Sequence, residues 1–221
     1  IRDRIRRYRT LFTGAFYQRF VLGSWTDVSG CVYSAFDPKL HVVNTLPESF
    51  SRFAVSCDYG TVNPSSFGLW GESGGVWYRI SEYYYDSRKE GRQRTDEEHY
   101  AALERLCAGR TIELVVCDPS AASFIECIRR HGRFPVAPAA NDVLSGIRRV
   151  NDALSCGKLK IHSSCADAVR EFSLYRWDKS TVCDAPVKEN DHAMDDIRYF
   201  VTRFLRDTAD PFCVMSLDRR R

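Results

Sequence analysis

From residue 53 onward the hydrophobic pattern changes period several times, and each change marks an element. Phe53–Cys57 is a short apolar run, followed by Ser66–Trp70 and Val76–Tyr85, with the glycine-rich segment Gly71–Gly75 as the turn between the last two. Residues 95–108 carry Tyr100, Leu103, Leu106 and Cys107 on one face at helical spacing. Ile112–Cys117 is continuously apolar, as expected of a central strand covered on both faces. A helix over Ser120–His131, a strand at Phe134–Ala137 and a helix over 142–155 follow. The pattern continues with a strand at Leu159–Ile161, a helix over 164–175 and a polar, proline-containing loop over 176–190. A last amphipathic helix runs from near Asp191 to about Leu205. Residues 1–22 read as a basic, aromatic-bearing arm, 23–50 as an irregular connector and the tail to Arg221 as frayed.

Three strands in succession, then alternating helix and strand, predict an α/β domain with a mixed sheet. The first three strands form an antiparallel meander, the later strands add in parallel, and helices flank the sheet. The length of 221 residues and the hydrophobic content of 44% suit one sizeable domain with flanking segments. No apolar run reaches the length of a membrane span, and no signal peptide is evident. Because the chain begins at Ile1 without Met, it is expected to be a piece of a longer protein.

The nine cysteines form no C-x-x-C pair, and several lie inside apolar runs, so they read as buried free thiols rather than disulfides. No Cys/His group has zinc-ligand spacing. The net charge of +3 is unevenly spread: residues 1–22 hold six arginines against Asp3 alone, and Arg129, Arg130 and Arg133, then Arg148 and Arg149, form further clusters. Such clusters are either solvated faces or phosphate contacts.

Three acidic positions carry the candidate chemistry. Asp58 ends the first strand and is followed by Tyr59-Gly60; it is either a strand-end carboxylate ligand or part of an ordinary turn. Asp118 follows the most apolar strand. It lies where α/β sheets place their ligands, but Asp118-Pro119 would also cap a helix. Asp195 lies in Asp191-His192-Ala193-Met194-Asp195-Asp196, at the start of the last helix. There His192, Asp195, Asp196 and Tyr199 group away from the apolar stripe, facing either solvent or a metal. Carboxylates gathered at one point repel, so such a cluster is expected to hold hard divalent cations with oxygen ligands. A phosphate-cradling loop and a G-x-G-x-x-G turn are both absent, so no nucleotide site is indicated.

Taken together, Asp58-Tyr59-Gly60, Asp118-Pro119-Ser120 and the segment Asp191–Tyr199 resemble the nuclease domain of tailed-phage terminase large subunits. Gly14–Tyr17, Leu22–Trp25 and Gly30–Tyr33 resemble that family's link from its ATPase domain. The resemblance covers about residues 50–205 and implies an RNase H-like fold. It implies two Mg²⁺ or Mn²⁺ ions held by Asp58, Asp118 and Asp195, with His192 as an auxiliary group. Asp196 stands where many relatives have a small residue and could supplement or compete with Asp195 as a ligand. The implied organisation is a lead-in over 1–50 from an ATPase domain, a nuclease domain over 51–206 and a tail over 207–221.

The implied activity is cleavage of concatemeric viral DNA during genome packaging in the host cytoplasm, with the ATPase domain, small terminase subunit and portal as partners. Arg129, Arg130, Arg133, Arg148 and Arg149 are the candidate contacts to double-stranded DNA. The alternatives are a resolvase- or transposase-type nuclease of the same fold, or a non-catalytic module that docks DNA or the portal.

Overall fold

The computed structural model describes residues 30–178 and 185–205. The expected arm over 1–22, the whole tail over 207–221 and Cys183 and Cys213 lie outside them. Pro38–His41 (α1) leads into a two-residue strand, Val42–Val43 (β1). The meander follows as Arg52–Asp58 (β2), Ser65–Ser73 (β3) and Val76–Tyr85 (β4). Then come Ser87–Glu90 (α2), Asp96–Cys107 (α3), Val115–Cys117 (β5), Ala122–His131 (α4), Val136–Pro138 (β6) and Val143–Ser155 (α5). Leu159–His162 (β7), Ala166–Leu174 (α6) and His192–Phe204 (α7) complete the domain.

All seven strands form one sheet in the order β1-β7-β4-β3-β2-β5-β6. β2, β3 and β4 are antiparallel neighbours, and β5, β6, β7 and β1 add in parallel, so the expected mixed sheet with an antiparallel start is present. The expected connector is more structured than its composition indicates. β1 pairs with β7 at one edge, and Val32 and Tyr33 are buried in the core.

The period-2 alternation of β2 and β3 divides the interior in two. Val55, Cys57, Phe67 and Leu69 pack with Leu103, Cys107, Phe124 and Ile128 beneath α3 and α4. Ala54 and Trp70 belong to the opposite cluster, with Ile147 and Val150 of α5, Phe172 of α6 and Ile197 and Phe200 of α7. Phe200 lies flat on Trp70, ring centroids 4.0 Å apart. That burial stabilises the seat of α7 by about 2–3 kcal/mol per large side chain. Among the described residues all seven cysteines are free and five are buried, as expected from their apolar surroundings.

The α7 side of the sheet changes character along β2 and β3. Next to Ala54 and Trp70 come Ser56, Ser66 and Gly68, and all of these positions are buried. This small polar floor receives one buried guanidinium, Arg79 of β4, whose Nη1 would lie 2.1 Å from a Cβ built on Gly68. Gly68 is therefore glycine because the arginine occupies its side-chain space.

Candidate functional site

β2 and β5 are parallel neighbours with Cys57 opposite Cys117, so the next residue on each strand, Asp58 and Asp118, emerges side by side at the carboxyl edge. The Asp118 N–H donates to the Cys57 carbonyl at 2.9 Å, continuing the ladder by one step. Asp58 follows Ser56 by two residues and therefore faces α7. The first turn of α7 brings His192 and Asp195 over this edge. Asp58, Asp118, Asp191, His192 and Asp195 all line one open cleft of about 630 Å³.

Burial pushes the Asp58 carboxyl up to about 7; the hydrogen bond from His192 opposes this, while the charges of Asp195 and Asp118 reinforce it. His192 Nδ1 lies 3.0 Å from Asp58 Oδ2. Burial alone would lower the imidazole, but the Asp58 bond and charge outweigh it and the net shift is upward. Asp195 is held by Arg198, with Nη2 at 2.9 Å, and Arg198 also donates to Asn141. Asp118 accepts the backbone N–H of Ser120 at 2.9 Å and its hydroxyl at 2.8 Å. This is a local turn rather than the expected helix cap, since α4 begins at Ala122 without a side-chain cap. Three carboxylates line one polar, open cleft, and burial together with the charges of the other two raises the proton affinity of one. Such a donor set fits hard divalent cations.

The start of α7 is not capped by Asp191. Instead Glu171 of α6, fully buried, accepts the Ala193 N–H at 2.7 Å and the Tyr84 hydroxyl at 2.7 Å. Asp191 is thereby left to line the cleft, 3.7 Å from His192 Nε2. The amino end of α6 is tied in the same way: Glu82 of β4 accepts the N–H groups of Asp167 and Ala168. Two helix starts around the cleft are thus satisfied by carboxylates from other elements.

The expectation for Asp196 is corrected. It does not line the cleft but lies on the sheet side of α7 with no exposed surface. Its oxygens accept from Ser56 at 2.7 Å, from Ser66, and from Arg79 at 2.6 and 2.8 Å. With both oxygens committed inward, Asp196 is an internal counter-charge and is not placed to hold a metal with Asp195. Its spacing carries that signal: it lies three residues after Ala193 and four before Phe200, on the apolar stripe. Tyr199, expected on the same polar side, is also buried.

The five arginines expected to contact DNA do not line the cleft. Because β5 and β6 are parallel, α4 must run back across the sheet, so Arg129 and Arg130 in its last turn lie about 10–12 Å along the helix from its start at the cleft edge. Arg130 pairs with Glu126 and Arg133 with Glu104. Arg148 and Arg149 lie mid-helix in α5 and do not line the cleft. The cations that do line it are Arg88, Lys89, Arg170 and Lys188. Arg170 and Lys188 stand singly in the sequence, whereas Arg88 and Lys89 belong to a basic run with Arg92 and Arg94 that is legible as a cluster.

No family model matches the chain. A solved large terminase from a thermophilic bacteriophage, in complex with ADP, is 44% identical and superposes with a TM-score of 0.83, over 93% of this chain and 52% of that one. The chain shares its fold with part of a large terminase. The nuclease domain of the P22 large terminase matches 82% of the chain and 98% of its own length, at 19% identity and a TM-score of 0.63. A large-terminase nuclease from the thermophilic phage G20c, solved with bound magnesium, matches at 12% identity with a TM-score of 0.58, over 79% of this chain and 97% of that one. A terminase large subunit of Escherichia phage T5 is 23% identical over 128 residues, 55% of this chain and 29% of that protein. The chain spans about half the length of the ADP-bound terminase and less of the T5 protein. The RNase H-like sheet expected from the resemblance is thus present, and in this chain the acidic cleft lies at the carboxyl edge of β2 and β5. Among the described residues no helix is long and apolar enough to cross a membrane.

Proposed function

We propose that this chain is the nuclease part of a terminase large subunit, a divalent-metal-dependent endonuclease that cuts concatemeric viral DNA during packaging. The observation that carries this reading is the convergence of Asp58, Asp118 and Asp195 in one open cleft, in a chain 44% identical to a solved large terminase. Mg²⁺ or Mn²⁺ ions held by these three carboxylates would activate water and neutralise charge on the scissile phosphate. The bound magnesium of the G20c nuclease supports a divalent ion in this fold.

The remaining work falls to the protein's own groups. Arg198 fixes the orientation of Asp195, and the Ser120 turn fixes that of Asp118. His192 holds Asp58 and is placed to share a proton with it at Oδ2. By this reading the whole protein also carries an ATPase domain, and the small subunit and portal meet it in the host cytoplasm.

The test is direct. The purified chain should nick plasmid DNA with Mn²⁺ or Mg²⁺ and be inert in EDTA. Cleavage that persists in chelator would refute the metal mechanism, and metal binding without any cleavage would favour a docking module.

Duplex binding is assigned to the cations lining the cleft. Replacing Arg88 and Lys89 by Ala should weaken binding about equally for two unrelated duplexes. It should also flatten the slope of log K against log salt by roughly 0.9 per lost phosphate contact. Replacing Arg129 and Arg130 should leave both unchanged, because they lie at the far end of α4. Salt-titrated binding in Ca²⁺ measures this, and the opposite ranking of the two pairs would move the DNA to the other edge of the sheet.

A further inference from the structure

Among the described residues outside the cleft, one cluster combines sulfur, nitrogen and oxygen donors. Cys127 and His131 are four residues apart on α4 and share a face. Glu97, in the first turn of α3, reaches across to both. Its two oxygens divide between them: Oε1 is 3.6 Å from Cys127 Sγ, and Oε2 is 2.8 Å from His131 Nε2. The three ligand atoms all lie within 4.8 Å of one another. A tetrahedral zinc ion, with bonds of about 2.3 Å to sulfur and about 2.0–2.1 Å to nitrogen and oxygen, spaces its ligands by roughly 3.3–3.6 Å, so only small side-chain shifts separate this arrangement from a bound one.

The surroundings suit an ion as well. The His131 ring lies flat on Tyr100, centroids 3.7 Å apart and planes within 6°, which sets the direction of its nitrogens. Cys127 comes from the buried side of the helix, with 7% exposure, while the Glu97 side chain is 70% exposed, so a fourth position opens to water. None of the three residues lines the acidic cleft.

We infer that Glu97, Cys127 and His131 form a second metal site, selective for a borderline-soft divalent cation such as Zn²⁺ over Mg²⁺, that staples the start of α3 to the last turns of α4. On binding, the thiol releases its proton to solvent and sulfur ligates as thiolate. The mixed donor set excludes hard cations that demand all-oxygen shells. The staple has a local consequence: Asp96, next to Glu97, accepts the hydroxyl of Tyr59, whose backbone neighbour is Asp58. Sequence spacing hides the site because only two ligands are close in the chain and the third comes from another helix.

The experiment titrates Co²⁺ into the full chain stripped of metal and reads the ultraviolet sulfur-to-cobalt charge-transfer band. The cleft cannot produce this band, because its donors are carboxylates and an imidazole, so the result is independent of the nuclease reading. The expected result is a band that saturates at one equivalent, is displaced by Zn²⁺ and survives excess Mg²⁺. Cys127→Ser should lose it, Glu97→Gln and His131→Gln should each weaken it, and Cys156→Ser, at the exposed cysteine, should leave it intact. Absence of the band, its survival in Cys127→Ser, or indifference to both Glu97→Gln and His131→Gln would overturn the site. Should Cys127→Ser fail to fold, the two surface variants decide on the native cysteine.

Discussion

Asp58→Asn is expected to abolish metal-dependent cleavage and, in EDTA above neutral pH, to raise the melting temperature. Both effects have one cause. Asp58 is buried, and burial drives its carboxyl up to about 7, with only His192 to hold the charged form against Asp195 and Asp118. Below the ordinary carboxylate range of about 4, the folded and unfolded chains both carry the proton and the residue has no linked cost. As pH rises toward 7 the unfolded chain ionises while the folded chain keeps its proton, so stability falls; above 7 the full penalty is present. Neutral Asn removes a penalty on the order of a few kcal/mol at about pH 8 and nothing at about pH 4. Added Mn²⁺ should reverse the order, stabilising the native chain by mass action but not the variant. Plasmid nicking and thermal melts at the two pH values check this. Retained cleavage, or a variant melting below the native chain at the higher pH in EDTA, would contradict the assignment of Asp58.

The second large effect separates the adjacent aspartates of α7. Asp196→Ala should cost about 3–5 kcal/mol of unfolding free energy, because it removes the close, two-oxygen partner of the buried Arg79 guanidinium and leaves only the longer contact to Glu82 at 3.4 Å. It also unpairs the hydroxyls of Ser56 and Ser66, which both donate to Asp196. Gly68→Ala should be destabilising through the same pair, since its methyl would occupy the space of Arg79. Asp195→Asn keeps an acceptor for Arg198 and should fold almost normally, yet lose cleavage. Urea titrations alongside nicking assays distinguish them. If Asp196→Ala stayed within about 0.5 kcal/mol of the native stability while metal binding disappeared, Asp196 would be a ligand after all.

The difference between these neighbours shows where sequence patterning stops. Hydrophilicity groups His192, Asp195, Asp196 and Tyr199 as one polar face beside the apolar stripe. A step of about 100° places Asp195 over the cleft and Asp196 over the sheet, and polarity alone does not register that step. What makes the sheet side tolerable for a carboxylate is Arg79, 117 residues earlier on β4. The arginine clusters lie away from the cleft for a related reason. Clustering in sequence measures local charge, whereas phosphate contact depends on which end of a helix the topology turns toward the cleft.

Local chemistry by itself determined the order and type of the main elements: apolar runs, changes of period and glycine turns are short-range features that tertiary packing did not override. It also determined that Asp58 and Asp118 end strands, because a carboxylate interrupts the apolar run that a strand covered on both faces requires. Only the tertiary structure decided that β2 and β5 are adjacent and parallel with Cys57 opposite Cys117, which makes the two aspartates neighbours. It likewise decided that Glu171 caps α7 and releases Asp191 to the cleft, that Val42–Val43 closes the sheet edge, and that Glu97 meets Cys127 and His131. Each of these depends on contacts between residues far apart in the chain, and such contacts are selected by the packing of whole faces rather than by any local preference.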